Sequence, residues 1–355
     1  MNTWGSKLKI SIFGESHGEA IGAIVDGIPS ELEIDMEFIQ SEMARRAPGR
    51  DGLSTPRKES DTVEILSGIK DGRTCGTPIC GIIRNTDTRS KDYAPNLLRP
   101  GHADFTGFQK YGANHDFRGG GHFSGRLTAP LVFAGALAKL ALAKDGIYVG
   151  SHIKSIGGVT EKSFLDCDIT PKLLREISEK DFPVMCDETG VKMKAEILGA
   201  AADKDSVGGV IECAVLGVQP GWGSPFFASV ESLISSIMFS IPAVKGIEFG
   251  RGFDLCNMRG SEANDPFETD GKSIYTTTNN NGGINGGITN GMPVVFSIAV
   301  KPTPSIGQPQ NTVDTDKMEN TVTEIKGRHD PCIVHRGAVA AECAAAIAIL
   351  EAKLI

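Results

Sequence analysis

The sequence predicts an α+β protein with antiparallel sheets, and three features predict it. Short segments with the alternating or β-branched character of strands recur without a regular strand–helix–strand order. Two long, alanine-rich apolar segments, residues 128–144 and 337–354, have the length and composition of buried helices. The chain has no fixed-period repeat. This mixed order disfavours a doubly wound parallel fold, and because no Pro- or Ser-rich linker divides the chain, we predict one domain over residues 1–355.

The N-terminal part is predicted to begin with strands. Residues 8–13 alternate as a strand does and stop at a glycine, and residues 22–26 form a second strand before a Gly/Pro turn. Residues 35–46 have helical spacing, with Asp35 as the N-cap and a Pro-Gly pair as the stop. Further short strands are predicted at residues 62–67 and 79–83.

The rest of the chain mixes both element types. Residues 128–144 form a helix whose small side chains imply close packing against another element. The more polar, irregular stretch from about residue 151 to 189 is expected at the periphery. Strands are predicted at residues 195–201, 209–218 and 293–300, and residues 337–354 form the second buried helix.

Composition is typical of soluble globular proteins, with 40% hydrophobic and 23% charged residues. The net charge of −8 predicts no nucleic-acid or membrane partner, so an anion site must use local cations.

Residues 125–144 come closest to a membrane span, but Arg126 and Lys139 interrupt this stretch, and we interpret it as a core helix. No window resembles a signal peptide, and the eight cysteines show neither CxxC nor zinc spacing. We therefore predict reduced thiols, no metal and a cytoplasmic location.

Four loops combine glycine with cationic and imidazole side chains. The richest covers residues 99–122 and contains the runs RPGHAD and RGGGH. The others are GESHG at residues 14–18, RRAPG at 45–49 and GRHDP at 327–331. Arginine in a glycine- or proline-rich turn is well placed to hold phosphate or carboxylate bidentately, whereas arginine on a helix face is usually solvated. The arginines in or beside such turns are Arg45, Arg46, Arg57, Arg99, Arg118, Arg126 and Arg328. Together the loops predict convergence on a strongly anionic small molecule.

Histidine is scarce, with seven in all. His17 and His102 each lie in a glycine-flanked turn, where an imidazole is exposed for proton transfer near neutral pH. The alternative for an isolated histidine is a structural hydrogen bond. We interpret three others as structural: His115, His152 and His335. Ser16 lies in no GxSxG elbow, so a hydrogen-bonding role is favoured over a nucleophilic one.

Two more segments present donors for a ligand. The run GGINGG at residues 282–287 follows three asparagines, and KPTPS at 301–305 combines a cation with two hydroxyls in a rigid turn suited to a phosphate monoester. The alternative for both is an ordinary tight turn. Neither GxGxxG after a strand nor GxxxxGK[ST] is present, which disfavours a Rossmann dinucleotide site and a P-loop.

These motifs, in this order, resemble the chorismate synthase family along almost the whole chain. The resemblance rests on FGESHG at 13–18, RR and PG within 45–49, NTD and RS within 85–90, RPGHAD at 99–104, KYG at 110–112, RGGG at 118–121, AVKG at 243–246, the loop at 282–291, KPT at 301–303 and KGRHDP at 326–331. It implies a lyase that converts 5-enolpyruvylshikimate 3-phosphate to chorismate and phosphate by 1,4-anti elimination. This is the last step of the shikimate pathway, which feeds aromatic amino-acid biosynthesis.

The resemblance also implies a cofactor and an assembly. The family requires reduced FMN although the reaction has no net redox change, and it forms homotetramers. Its subunits place a helical layer between two antiparallel sheets. Because no dinucleotide fingerprint is present, we predict that NAD(P)H acts only indirectly, through a separate flavin reductase.

Roles carried over by position fall into three groups. His17 would protonate or hydrogen-bond the leaving phosphate, His102 would support the protonation state of the flavin, and Asp330 would lie near flavin N5 and assist removal of the C6 hydrogen. Substrate anions would be held by Ser16, Arg46, Arg99, Arg126 and Arg328. The flavin would be lined by His122, Phe123, Ser124, Pro242, Ala243, Gly286, Lys301, Pro302, Thr303, Pro304, Ser305 and Arg328.

Two departures from the family pattern change the expected contacts. The family commonly has RSSARET after the three glycines, and this chain has HFSGRLT at residues 122–128. Ala47 replaces the third arginine of the RRRPG run.

Two other functions, a flavin reductase and a polyanion-binding module, are alternatives to this lyase. A flavin reductase would use the same kind of pocket, and bound yellow flavin would favour either enzyme. A polyanion-binding module is disfavoured by the acidic net charge and by the 6% aromatic content.

Overall fold

Two five-stranded antiparallel sheets lie on either side of a layer of helices in the computed structural model of this chain. The structure describes residues 2–49, 53, 59–86, 96–325 and 330–355. Within these residues the strands are β1 (Thr3–Trp4), β2 (Lys9–Gly14), β3 (Ala20–Asp26), β4 (Val63–Ser67), β5 (Ile69–Lys70), β6 (Arg73–Thr74), β7 (Ile79–Arg84), β8 (Tyr148–Ile156), β9 (Val159–Thr160), β10 (Gly209–Leu216), β11 (Val244–Phe249), β12 (Phe267–Thr269), β13 (Ile274–Thr276), β14 (Ile284–Asn285), β15 (Ile288–Thr289), β16 (Val294–Val300), β17 (Gln310–Asp314) and β18 (Glu319–Thr323). The α-helices are α1 (Met36–Arg46), α2 (Asp104–Tyr111), α3 (Thr128–Ala143), α4 (Pro171–Ser178), α5 (Asp187–Ala202), α6 (Val230–Met238), α7 (Gly260–Ala263) and α8 (Val334–Leu354).

The strand order confirms the predicted fold class. The first sheet runs β1-β2-β3-β7-β4 and the second runs β11-β16-β10-β8-β9, with antiparallel neighbours throughout. Helix α3 packs on the first sheet, α8 packs on the second, and the two helices pack on each other. The hydrophobic core is continuous through these layers, because one cluster contains Ile21, Leu137, Ala345 and Ile211.

Small residues allow the two central helices to approach closely. A Cβ atom added to Gly135 of α3 would lie 2.1 Å from the Cβ of Cys343 of α8. No larger residue fits there without moving one helix. The sequence predicted both helices correctly, although α8 begins three residues earlier than expected, at Val334. Helix α1 is capped as predicted, since the Asp35 carboxylate accepts a hydrogen bond of 2.9 Å from the Phe38 amide.

The strand predicted at residues 195–201 was wrong. These residues belong to helix α5, in which Gly190, Met193 and Ile197 are the buried positions. Their spacing of three and then four residues is the repeat of a helical face. A seven-residue apolar run shows too little of that repeat to separate helix from strand.

The peripheral position predicted for residues 151–189 was wrong for residues 151–156, because this part of β8 lies inside the second sheet between β10 and β9. Ser151 and His152 are buried and paired. The His152 ring nitrogens lie 2.6 Å from Glu161 Oε1 and 2.9 Å from Glu212 Oε2. Burial disfavours the imidazolium, but the two carboxylates outweigh it and raise the His152 pKa. Burial likewise opposes ionisation of Glu212, yet His152 and Lys154 hold its pKa at about 2. A buried polar network has the composition of a surface segment, which explains the error.

One helical segment of the described chain, Gly125–Ala143, is long and apolar enough to cross a membrane. Within it, 83% of the most apolar window is buried inside the fold. It contains α3, the central helix that packs on the first sheet.

Candidate active site

A cleft of about 670 Å³ lies where helix α1 ends and helices α3 and α8 begin. This volume is in the usual range of small-molecule sites, about 300–1,000 Å³. The cleft is lined by residues within 99–103, 119–128, 239–245, 301–305 and 330–340, and by His17, Arg46, Pro48, Glu59 and Ile325. Three of the four loops singled out in the sequence therefore meet here, and the fourth, 327–331, contributes Asp330.

Three consecutive glycines form the floor on which two imidazoles lie. Gly119, Gly120 and Gly121 have φ values of 58°, 86° and 53°, in the region that favours glycine. A Cβ on Gly119 would lie 2.4 Å from His17 Nε2, and one on Gly120 would lie 3.2 Å from His102 Nε2. The missing side chains thus let both rings approach the same stretch of backbone. The structure brings together the two histidines predicted to transfer protons.

His102 is held by a carboxylate and a guanidinium from its own loop. Its Nδ1 lies 2.8 Å from Asp104 Oδ1 and 3.2 Å from Arg99 Nη2. Arg99 also donates from Nε and Nη2 to the two Asp104 oxygens, at 2.8 and 2.6 Å. Burial opposes ionisation of Asp104, but the hydrogen bonds from Arg99 and His102 outweigh it and lower the Asp104 pKa. The shorter contact favours an Nδ1–H donor to Asp104, which leaves Nε2 for the cleft.

Two predicted substrate arginines share one buried carboxylate. Arg46 donates from Nε to Asp61 Oδ2 at 2.7 Å, and its Nη2 contacts the same oxygen. Arg126 Nη1 contacts Asp61 Oδ1, and its Nε donates to Asn85 Oδ1 at 3.0 Å. All three side chains of this Arg46–Asp61–Arg126 triad are at least nine-tenths buried. Burial lowers the Arg46 pKa, and Asp61 opposes that effect. Sequence reasoning missed Asp61, because it follows a serine in a segment without glycine.

Arg45, which the sequence grouped with the anion-binding arginines, lies in a separate ion cluster. It donates to Glu42 Oε1 at 2.7 Å and from Nη2 to Glu342 Oε1 at 2.6 Å. Lys139 of α3 bonds the same two carboxylates. This buried quartet of Glu42, Arg45, Lys139 and Glu342 ties α1, α3 and α8 together. Burial opposes ionisation of Glu342, but Arg45 and Lys139 lower its pKa to about 2. Arg45 therefore has a structural role.

Asp330 lines the cleft as predicted, and its partner is an arginine that sequence reasoning did not select. Arg336 Nη2 lies 2.6 Å from Asp330 Oδ1. The hydroxyl of Thr303 donates to the Asp330 carbonyl at 2.6 Å, which joins the 301–305 turn to the start of α8. Arg336 lies in the first turn of an apolar helix, outside every glycine-rich motif. Glu59, at the cleft wall, was missed for a similar reason.

Most of the residues predicted to line a flavin do line the cleft. They are His122, Phe123, Ser124, Pro242, Ala243, Lys301, Thr303, Pro304 and Ser305. Lys301 Nζ donates to the Gly101 carbonyl at 2.5 Å, and its backbone amide donates to Ala243 at 3.0 Å, so three loops are joined. His122 Nδ1 lies 2.9 Å from the Gly14 carbonyl.

Three of the predicted site residues that the structure describes are not among the cleft residues. Pro302 turns towards Gly208, and Gly286 lies in the β14–β15 hairpin. The Ser16 hydroxyl is fully buried and has no hydrogen-bond partner among the described residues, while its amide donates to the Gly121 carbonyl at 3.1 Å. Arg328 lies outside the described residues, as do Arg57 and His329.

The histidines interpreted as structural lie outside the cleft. His152 belongs to the network of the second sheet, and His335 is buried with its ring 6.1 Å from that of Phe182. His115 Nδ1 lies 3.1 Å from the Gly112 carbonyl. In the described ranges no three His, Cys, Asp or Glu side chains are grouped as a metal site.

The family model described as chorismate synthase matches residues 8–354. The chain belongs to the chorismate synthase family. The match contains every residue of the cleft wall. Chorismate synthase from Methanothermobacter thermautotrophicus is 46% identical over 356 residues, which cover 99% of this chain and 93% of that protein. Chorismate synthase from Thermococcus kodakarensis is 44% identical over 350 residues, with 98% and 96% covered.

A solved structure agrees with this assignment. The structure titled "Crystal Structure of Chorismate Synthase" superimposes with a TM-score of 0.77 at 29% identity, covering 99% of this chain and 93% of that one. As a member of the chorismate synthase family, the protein is a lyase.

Proposed function

We propose that this lyase removes phosphate from 5-enolpyruvylshikimate 3-phosphate to give chorismate, and that it needs reduced FMN. The observation that carries the proposal is the convergence of His17, His102 and Asp330 on one cleft with Arg46 and Arg99. A substrate with one phosphate and two carboxylates needs local cations in an acidic protein. The cleft gathers such cations although the net charge of the chain is −8.

The residues present fit a flavin mononucleotide. The positive-φ glycines let the two imidazoles lie against the backbone of the cleft, where their free edges can face a ligand. Ser124, Thr303 and Ser305 supply hydroxyls and Lys301 a cation for a phosphate, while Phe123 and Pro304 supply apolar surface. We propose these residues, with His122, Pro242 and Ala243, as the flavin wall; Arg328, Pro302 and Gly286 remain predictions. When bound, the reduced flavin would lend electron density to the substrate as phosphate leaves and then recover it.

His17 is proposed to act at the leaving phosphate. Its Nε2 lies against Gly119, beside the positive-φ turn. A protonated imidazole there donates to a phosphate oxygen and stabilises the charge that develops as the C3–O bond breaks. His102 is oriented by Asp104, so the ring keeps one tautomer and directs Nε2 toward the cleft.

Asp330 is proposed to assist loss of the C6 proton. Its carboxylate is held by Arg336 at the cleft wall. A carboxylate accepts a proton best when it is oriented and close to the reacting carbon. Acid and base then lie on different loops, which lets them reach the two different carbons from which an elimination removes a proton and a phosphate.

Arg46, Arg99 and Arg126 are proposed to hold the substrate anions, together with Ser16. Pairing with Asp61 and Asp104 fixes the plane of each guanidinium, and each guanidinium carries five N–H donors. Donors fixed in this way are oriented before the ligand arrives.

The test is an anaerobic phosphate-release assay with 5-enolpyruvylshikimate 3-phosphate and dithionite-reduced FMN. We expect phosphate and chorismate in equal amounts, and no turnover with oxidised FMN alone. Full turnover under air without any reductant would refute the cofactor assignment. NAD(P)H and FMN without an added reductase are expected to give no product; turnover in that arm would instead show intrinsic flavin reduction.

We further propose a homotetramer of single-domain subunits that functions in the cytoplasm without nucleic-acid or membrane partners. The core cluster shared by both sheets supports one domain. Sedimentation equilibrium of the purified protein measures the assembly, and a monomer at working concentration would refute the tetramer.

A further inference from the structure

We propose that Arg336 is a further substrate-binding residue, whose Nε–H donates to an anionic oxygen of the substrate while its Nη2 holds Asp330. The inference rests on the proposed function, because it assigns a contact to that substrate. Arg336 lines the cleft, and its side chain is 15% exposed. Its Nη2 lies 2.6 Å from Asp330 Oδ1. Its Nε is buried and has no hydrogen-bond partner in the described part of the chain.

The unpartnered nitrogen is unusual for two reasons. Buried N–H groups in folded proteins nearly always have an acceptor, and because this one belongs to a residue of the cleft wall, its missing acceptor points to a ligand. The guanidinium also carries Nε and one Nη on the same edge, and that edge holds a carboxylate or phosphate through two parallel bonds. In Arg99 both nitrogens of this edge bind one carboxylate, Asp104. In Arg336 the carboxylate takes only the Nη2 side.

The geometry also places the missing acceptor. An oxygen bonded to Nε would lie beside the Asp330 carboxylate, because Nε and Nη2 point the same way. Arg336 would then set the distance between a substrate anion and the group proposed to take the C6 proton. Arg336 and Arg46 both line this cleft, and the positive charge of Arg336 contributes to the lowered Arg46 pKa. An anionic substrate group is therefore a better match there than an apolar or cationic one.

The test compares Arg336→Lys with Arg336→Gln. Lysine keeps a cation for Asp330 but cannot donate from two fixed nitrogens at once. Calorimetric titration with 5-enolpyruvylshikimate 3-phosphate, in the presence of oxidised FMN, measures the substrate Kd, and a flavin titration measures the FMN Kd. We expect Arg336→Lys to raise the substrate Kd about 10- to 100-fold, as expected for loss of a hydrogen bond to a charged group. The FMN Kd should stay within about twofold, since one lost charge-assisted bond would cost more than that. Steady-state assays should show a higher KM for both variants.

The matched control is Arg251→Lys, because Arg251 makes a similar ion pair with Asp166, at 2.8 Å, away from the cleft. It should leave both Kd values unchanged. An unchanged substrate Kd in a folded Arg336→Lys variant would overturn the proposal. Arg336 would then have a structural role, and water would accept the hydrogen bond from its Nε–H group. Unfolding of both Arg336 variants would overturn it as well. Wild-type protein that binds no substrate would instead refute the proposed function itself.

Discussion

Asp104→Asn should show how much catalysis depends on the orientation of His102, because the variant keeps the imidazole and changes the side chain that orients it. The Asp104 carboxylate accepts from the Arg99 amide at 2.9 Å, from Arg99 Nε at 2.8 Å and from Arg99 Nη2 at 2.6 Å. It also lies 2.8 Å from His102 Nδ1. Asparagine has the same shape, but it replaces one acceptor oxygen with a donor nitrogen. In the place of Oδ2 that nitrogen faces the Arg99 amide and Nε, and in the place of Oδ1 it faces both His102 Nδ1 and Arg99 Nη2.

The expected loss follows from this mismatch. If the amide faces His102, the ring must move its proton from Nδ1 to Nε2, which inverts the group offered to the cleft. The kcat should then fall by about 10²–10⁴, the range for a positioned acid–base residue. The unfolding free energy should fall by only about 1.5–3 kcal/mol, the contribution of hydrogen bonds to a charged group. Because the Asp104 pKa is lowered, the carboxylate is ionised throughout the neutral range, and the substitution removes a full negative charge there.

The assay is kcat by anaerobic phosphate release at saturating substrate and reduced FMN, with urea unfolding of the same sample. Asp166→Asn is the control, since Asp166 pairs with Arg251 and is not among the described residues that line the cleft. We expect wild-type kcat for this control. A folded Asp104→Asn enzyme whose kcat stays within about threefold of wild type would refute the reasoning, because general acid–base work is worth far more.

Three further outcomes are expected. His17→Ala and His102→Ala should each lower kcat by about 10²–10⁴ while FMN still binds. If both histidines act on one transition state, the fall in kcat of the double variant should be smaller than the product of the two single falls. A lower melting temperature with unchanged kcat would instead show that the histidines are structural. Arg46→Ala should weaken substrate binding by about 2–5 kcal/mol, because it leaves a buried charge unpaired, and it should leave FMN binding intact. Calorimetric titration of each ligand measures both effects. Glu342→Gln should destabilise the fold by about 3–5 kcal/mol in urea unfolding. Since the Glu342 pKa is lowered from 4.5 to about 2, its contribution is complete above the unfolded pKa of 4.5, and wild type should lose it as the pH falls toward 2.

Elements with a clear repeat could be predicted from the sequence. Helix α1 showed both its periodicity and its Asp35 cap, and the apolar composition of α3 and α8 indicated burial directly. Strand β8 could not be predicted, because its buried His152 is stabilised by Glu212, which lies far along the chain. Such pairing depends on tertiary structure, and a local pattern carries no information about it.

The same limit applies to the site. Loops rich in glycine and histidine identified part of the cleft wall, because positive-φ glycines and exposed imidazoles are local features. Arg45 and Arg46 are neighbours in sequence and equally cationic, yet one faces the quartet and the other faces the cleft. Only the direction of each side chain from α1 separates them. Arg336 and Asp61 were missed because each acts through a partner that the fold supplies.

The carboxylates of the cleft would let an acidic protein hold the proposed substrate, which carries three anionic groups. Arg99 is paired with Asp104, and Arg336 is paired with Asp330. Asp61 is paired with both buried arginines, Arg46 and Arg126. These pairs cancel much of the net positive charge, so attraction by a strong local field is not the main source of affinity. They fix guanidinium planes instead, so the remaining N–H groups are oriented before a ligand arrives. Buried donors are screened far less by salt than surface charges are. Affinity for the substrate should therefore depend more on the geometry of these pairs than on ionic strength.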